Sequence, residues 1–219
     1  MNVFDIIGPV MVGPSSSHTA GAVRIGIIAR ELLGEPPLSV VVKFHGSFAR
    51  TYKGHGTDRA IIAGLMGMSP DDLRIRESLS LAAEAGLEFS FESIDLLEAH
   101  PNTVLLEITG VSGKKVTVVG ASVGGGNILI KKVNGLNVEF SGEYDTLIVS
   151  HQDAPGVIAA VTNLLAYNGI NIANMKVYRS GRGGDAIMII ETDQGLGEEL
   201  VAMISKMPRI TSATEINPI

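Results

Sequence analysis

Apolar residues recur at helical spacing from Ala20. Val23, Ile27, Ala29 and Leu33 mark the repeat, with Ile28 and Leu32 beside them. The pattern predicts a helix that Gly34 stops at the first position past its end. Glu35-Pro36-Pro37 breaks the period, and residues 38–44 then read as a buried strand rich in β-branched side chains. His45-Gly46-Ser47 reads as a polar turn. Residues 54–58 form a second polar loop leading into an apolar helix over 60–66, with Thr57 or Asp58 placed to cap it. Ser69-Pro70-Asp71-Asp72 has the cap, the first-turn proline and the acids of a helix start, and that helix extends to Glu84 before Gly86 ends it. Alternation then predicts strands over 87–94, 104–108, 116–119, 128–133 and 136–140. Gly110 to Lys114 make a hairpin turn between two of them.

Turn residues at Asn134-Gly135 and Ser141-Gly142-Glu143 mark a boundary. Beyond it the pattern becomes a compact βαββαβ, with strands over 146–150, 170–178, 186–192 and 210–216 and helices over 155–167 and 196–207. The reading is therefore α/β (α+β), with a mixed-sheet domain at 1–142 and a ferredoxin-like domain at 145–219. Helices on one face leave an open sheet edge that invites a second copy, so homodimer contacts are expected through this domain or the first.

Composition narrows the function. A chain of 219 residues with 45% hydrophobic residues and a mean hydropathy of +0.29 is long and apolar enough for well-filled cores. No apolar run reaches the length of a membrane span, and residues 1–5 lack a leader pattern, so a cytoplasmic location away from membranes is expected. A net charge of −6, with basic residues clustered only in pairs such as Lys114-Lys115 and Lys131-Lys132, argues against nucleic acid as a partner. There is no cysteine. This rules out disulfides, a thiol nucleophile and a cysteine-ligated cluster held by this chain.

The candidate chemistry lies in Gly13-Pro14-Ser15-Ser16-Ser17-His18-Thr19, directly before the first helix. A helix N-terminus attracts anions, and the hydroxyls of Ser15, Ser16, Ser17 and Thr19 can add donors for a carboxylate or an amino group. His18 adds a group that titrates near neutrality, able to orient a substrate or to shuttle a proton. The competing reading is that Ser17 or Thr19 only caps the helix. A serine hydrolase does not fit, because no GxSxG elbow surrounds the serines. His55 and Asp58 form a second acid/base pair, too few to ligate a metal alone. Gly124, Gly125 and Asn127, in Ser122-Val123-Gly124-Gly125-Gly126-Asn127, allow close backbone approach to a ligand or a tight sheet corner.

His151-Gln152-Asp153-Ala154-Pro155-Gly156-Val157, followed by Gly169-Ile170-Asn171-Ile172, resembles the ACT regulatory domain. By that resemblance His151, Asp153, Gly156 and Asn171 belong to an effector site. An aspartate stands at 153 where the serine-sensing ACT domains of phosphoglycerate dehydrogenases have an amide. Its negative charge opposes a carboxylate ligand and suits a monovalent cation such as potassium, an ammonium group, or a role confined to dimerisation or helix capping.

The N-terminal part resembles the beta chain of bacterial iron–sulfur L-serine dehydratases, whose first domain is related to an allosteric substrate-binding domain. GPSSSHT at 13–19, GHGTD at 54–58, HPNT at 100–103 and SVGGG at 122–126 carry the likeness. The resemblance implies L-serine as substrate, deaminated to pyruvate and ammonia. It also implies a four-iron four-sulfur cluster on a separate alpha chain, since no cysteine ligand exists here, and no activity of this chain alone. The alternative is a free-standing amino-acid-sensing module without a catalytic partner.

Overall fold

The computed structural model describes residues 10–219, and residues 1–5, read above for a leader, lie outside them. The chain forms two compact units, Met1–Gly135 and Leu136–Ile219. No helix among the described residues is long and apolar enough to cross a membrane.

The first unit runs α1 (Ala20–Leu33), β1 (Pro37–Phe44), α2 (Gly46–His55), α3 (Thr57–Leu65), a short 3₁₀ helix (Leu73–Glu77), α4 (Ser78–Glu84), β2 (Glu88–Ser93), β3 (Thr103–Gly110), β4 (Lys115–Gly124) and β5 (Asn127–Val133). The strands lie in the order β2-β1-β3-β4-β5, with β1 parallel to β2 and antiparallel to β3. Helix α1 keeps the predicted bounds, and Gly34 closes it in the left-handed conformation at φ 72°.

Glycine sets how closely α1 and α3 approach. A Cβ on Gly26 would lie 2.5 Å from the Ile61 carbonyl oxygen, and one on Gly64 would lie 2.9 Å from the Gly26 Cα. The two backbones therefore touch, which holds the start of α3 beside the loop that precedes α1.

Four local expectations are corrected. Residues 45–58 are not two polar loops: α2 fills most of the interval, and Gly56, at φ 71°, is the single residue between it and α3. Neither Thr57 nor Asp58 caps α3; its N-cap is Gly56, with no side-chain cap bond. The helix expected from Ser69 begins later, where the Asp72 carboxylate accepts from the Arg74 N–H to start the 3₁₀ turn. Strand β4 also runs past residue 119 into the glycine motif. Register shifts at Val119/Gly120 and Ser122/Gly124 absorb the irregularity.

The second unit runs β6 (Leu136–Phe140), β7 (Asp145–Gln152), α5 (Val157–Tyr167), β8 (Ile172–Arg179), β9 (Asp185–Thr192), α6 (Glu198–Ser205) and β10 (Ile210–Ile216). Its antiparallel sheet has the order β10-β7-β9-β8, the predicted ferredoxin-like arrangement. Leu147 and Val149 of β7 and Met188 and Ile190 of β9 form its core under Val157, Val161 and Leu165 of α5 and Leu200 and Ile204 of α6.

Candidate functional site

The loop before α1 is wound tightly on itself. The N–H of Thr19 donates to the Ser15 carbonyl at 2.8 Å, and that of Gly21 donates to the Ser16 carbonyl at 2.9 Å. These two N–H groups are therefore not available to an anion, contrary to the expectation for an open helix start. Nor does Thr19 cap α1: it occupies the N-cap position without a side-chain cap bond, and its Oγ1, in a residue only 2% exposed, has no hydrogen-bond partner. Gly13 packs against the Thr19 side chain, and Val12 N–H donates to the Pro70 carbonyl at 3.0 Å, which pins the start of the loop.

His18 points from this loop onto α2. Phe48, Thr51 and His55 lie at i, i+3 and i+7 on one helix face, and all three meet the imidazole. The Phe48 ring stands edge-on at 5.1 Å, the His55 ring lies at 4.7 Å with a 32° tilt, and Thr51 Oγ1 is 3.0 Å from Nε2. On the other side Ser15 Oγ is 3.2 Å from Nδ1. Burial, and then the neighbouring His55, hold the His18 pKa below its ordinary 6.5, so the ring is neutral at pH 7.

The HPNT motif supports this face. Pro101 carbonyl accepts the N–H groups of Ser47 at 2.7 Å and Phe48 at 3.4 Å, which caps the N-terminus of α2 from a segment distant in sequence. His100 stays within its own turn, with Nδ1 accepting from Asn102 N–H.

A cavity of about 520 Å³ is lined in part by Gly13, Thr19, His55, Lys53, Arg59 and Arg76; His18 is not in its wall and meets it through the His55 ring. Its polar wall is cationic. His55 Nδ1 and Thr19 Oγ1 are buried without partners, and so, two residues beyond His55 and outside the wall, is Thr57 Oγ1. Native proteins rarely leave buried polar atoms unpaired, and Thr19 Oγ1 and His55 Nδ1 place two of them at this cavity.

The remaining predicted residues fall as follows. Asp58 is half-buried, and burial raises its carboxyl pKa even though it accepts from Arg59 N–H at 2.8 Å. Ser16 contributes its carbonyl to the loop turn. Ser17 is half-buried in the same turn. Gly124, Gly125 and Asn127 form the β4–β5 turn, and Gly126 carbonyl accepts from Arg24 of α1 at 2.9 Å. This motif buttresses α1 and is not part of the cavity wall described above. Sequence reasoning missed Thr51, Phe48, Lys53, Arg59 and Arg76. The available signal was the helical spacing of Phe48, Thr51 and His55.

In the second unit His151 is buried on β7, with Nδ1 2.8 Å from the Gln152 carbonyl and Nε2 without a partner. Asp153 and Asn171, expected to act together, have different partners. Asp153 accepts from Arg179 Nη1 at 3.0 Å and Gly183 N–H at 3.1 Å, and these bonds lower its pKa, with Gly183 the larger cause. Asn171 donates to Asp193 at 2.6 Å. Gly156, at φ 89°, is the N-cap of α5. Among the described residues no three His, Cys, Asp or Glu side chains are grouped to hold a metal ion.

Fold and site thus define a two-unit α/β protein whose first unit presents a neutral imidazole beside a small cationic cavity. The chain belongs to the serine dehydratase beta chain family, whose profile matches residues 2–133, and the ACT domain profile matches residues 146–207. It is 46% identical to the "Probable L-serine dehydratase, beta chain" of Bacillus subtilis, over 98% of this chain and 97% of that one. It is 39% identical to the "L-serine dehydratase, beta chain" of Peptoniphilus asaccharolyticus, over 97% and 96%. A D-3-phosphoglycerate dehydrogenase of Bacillus subtilis is 28% identical over 89% of this chain and 37% of its own length.

Proposed function

We propose that this chain is the beta subunit of a two-chain L-serine dehydratase that converts L-serine to pyruvate and ammonia, and that His18 and the cavity beside His55 form part of the active site at the contact with the alpha chain. The observation that carries the reading is the pair of buried, unpaired polar atoms on Thr19 and His55 in a cavity lined by three cationic side chains, with the His55 ring lying against His18. Family membership supplies the reaction class.

In this reading Lys53, Arg59 and Arg76 provide the positive surroundings for the substrate carboxylate, while Thr19 Oγ1 and His55 Nδ1 hydrogen-bond its polar groups. Neutral His18 holds or moves a proton during the elimination. The chain's own donors do not fit a four-iron four-sulfur cluster, because it contains no cysteine. Such a cluster would be held by the alpha chain, where it would supply Lewis-acid chemistry. The ACT unit is the regulatory part.

Anaerobic co-expression with a cysteine-rich alpha chain tests the proposal. The complex is expected to deaminate L-serine, and each chain alone is expected to be inactive. His18→Ala should lower kcat by about 100-fold or more with the complex intact. An alpha chain fully active by itself would overturn the site-completing role and leave this chain as a sensing module.

A further inference from the structure

Thr51 has one hydroxyl proton, and α2 determines where it goes. Oγ1 lies 2.7 Å from the Ser47 carbonyl oxygen one turn earlier, a group that only accepts. With the proton directed there, Oγ1 offers a lone pair to His18 Nε2 at 3.0 Å. Nε2 must then carry the imidazole hydrogen. A neutral ring protonated at Nε2 is bare at Nδ1, and Nδ1 faces Ser15 Oγ at 3.2 Å. That oxygen also accepts the His18 backbone N–H at 3.4 Å, which leaves its own proton free to point at Nδ1. The Thr51 side selects the tautomer, and the Ser15 hydroxyl, free to donate to Nδ1, accommodates it.

We propose that Thr51 is a positioning residue that fixes His18 as the Nε2–H tautomer, so that Nδ1, on the Ser15 side, is the nitrogen that accepts a proton. The functional half of this proposal rests on the reading of His18 as the proton-handling group. When Nδ1 takes a proton the ring becomes an imidazolium. Its Nε2–H stays on Thr51, and the proton's source is a substrate group standing in the Ser15 hydroxyl's place. Among the described residues the groups facing the ring are Ser15 from its own loop and Phe48, Thr51 and His55 from α2, of which His55 is the titratable one. A hydroxyl at position 51 therefore sets which nitrogen is basic, a role that neither a packing residue nor a helix surface residue would have.

The test is nitrogen-15 NMR on the full chain with labelled histidine, the His18 signals being identified by their loss in His18→Gln. The unsubstituted chain at pH 7 to 8 should show a protonated, pyrrole-type Nε2 and an imine-type Nδ1. Thr51→Val keeps the branched shape but removes the acceptor, and the signals should move toward the other tautomer; Thr51→Ser should restore them. With the alpha chain, Thr51→Val should lower kcat about 10-fold with KM little changed, and the serine variant should recover it. An imine-type Nε2 in the unsubstituted chain overturns the proposal, and that measurement needs no variant to fold. An unchanged pattern in a folded Thr51→Val chain overturns it as well. A tautomer change with unaltered turnover upholds the tautomer assignment and overturns the proton-handling reading of His18.

Discussion

The state of His18 depends on its burial and on a second imidazole. Because its folded-state pKa is lowered from 6.5, the unfolded chain binds a proton that the folded chain does not, over the window between the folded value and 6.5. Stability therefore rises with pH through that window and falls as the solution is acidified below 6.5. His55→Gln removes the second of the two causes and leaves burial, so the His18 titration followed by NMR should move upward while staying below 6.5. A downward movement would show that His55 does not oppose the charge. At this scale the sequence exposed part of the site. Ser15 and His18 stand in a visible motif, and His55 in another. Thr51 stands in none, because its role arises only when α2 places it three residues after Phe48 and beside a ring contributed from 33 positions earlier.

The elements show why α2 was missed. Phe48 is its one buried residue, so no apolar stripe announces a helix. Its first N–H groups are satisfied by the Pro101 carbonyl, a cap that becomes visible only after folding. Strand β4, expected to end at 119, continues through Gly120, where a Cβ would lie 2.8 Å from Ile25 of α1. Elements whose pattern is set by their own burial were legible, notably α1 and β9. Close approach of backbones yields the prediction at this scale. Gly64→Ala should destabilise the chain by about 1–3 kcal/mol in urea unfolding, because the added carbon meets the backbone of α1. Gly54→Ala, in α2 with nothing within 4 Å of the new carbon, should instead stabilise by roughly 0.5–1 kcal/mol. Equal effects at the two positions would mean that α1 and α3 have room to separate.

Over the whole molecule, a change to the βαββαβ pattern announced a second unit, but the sequence placed the boundary at 142–145 and so assigned the strand at 136–140 to the first unit, whereas it falls in the second. The compact units part at Gly135/Leu136, and the two family profiles leave residues 134–145 between them. What a single chain's pattern shows least is where its second unit stops binding to itself. The sheet order β10-β7-β9-β8 leaves β8 with one unpaired edge, and along it Val177 remains 40% exposed although β-branched and apolar. An unpaired edge presents backbone N–H and C=O groups that a second copy satisfies most directly, and an exposed valine beside it adds apolar area to that contact. The 23.0 kDa chain is therefore expected to sediment as a dimer in the absence of any partner. Val177→Lys places a charge at the edge, a device by which edge strands avoid pairing, and should shift the equilibrium toward monomer with the circular dichroism spectrum unchanged. A chain that sediments as a monomer before substitution would show that the β8 edge needs no second copy.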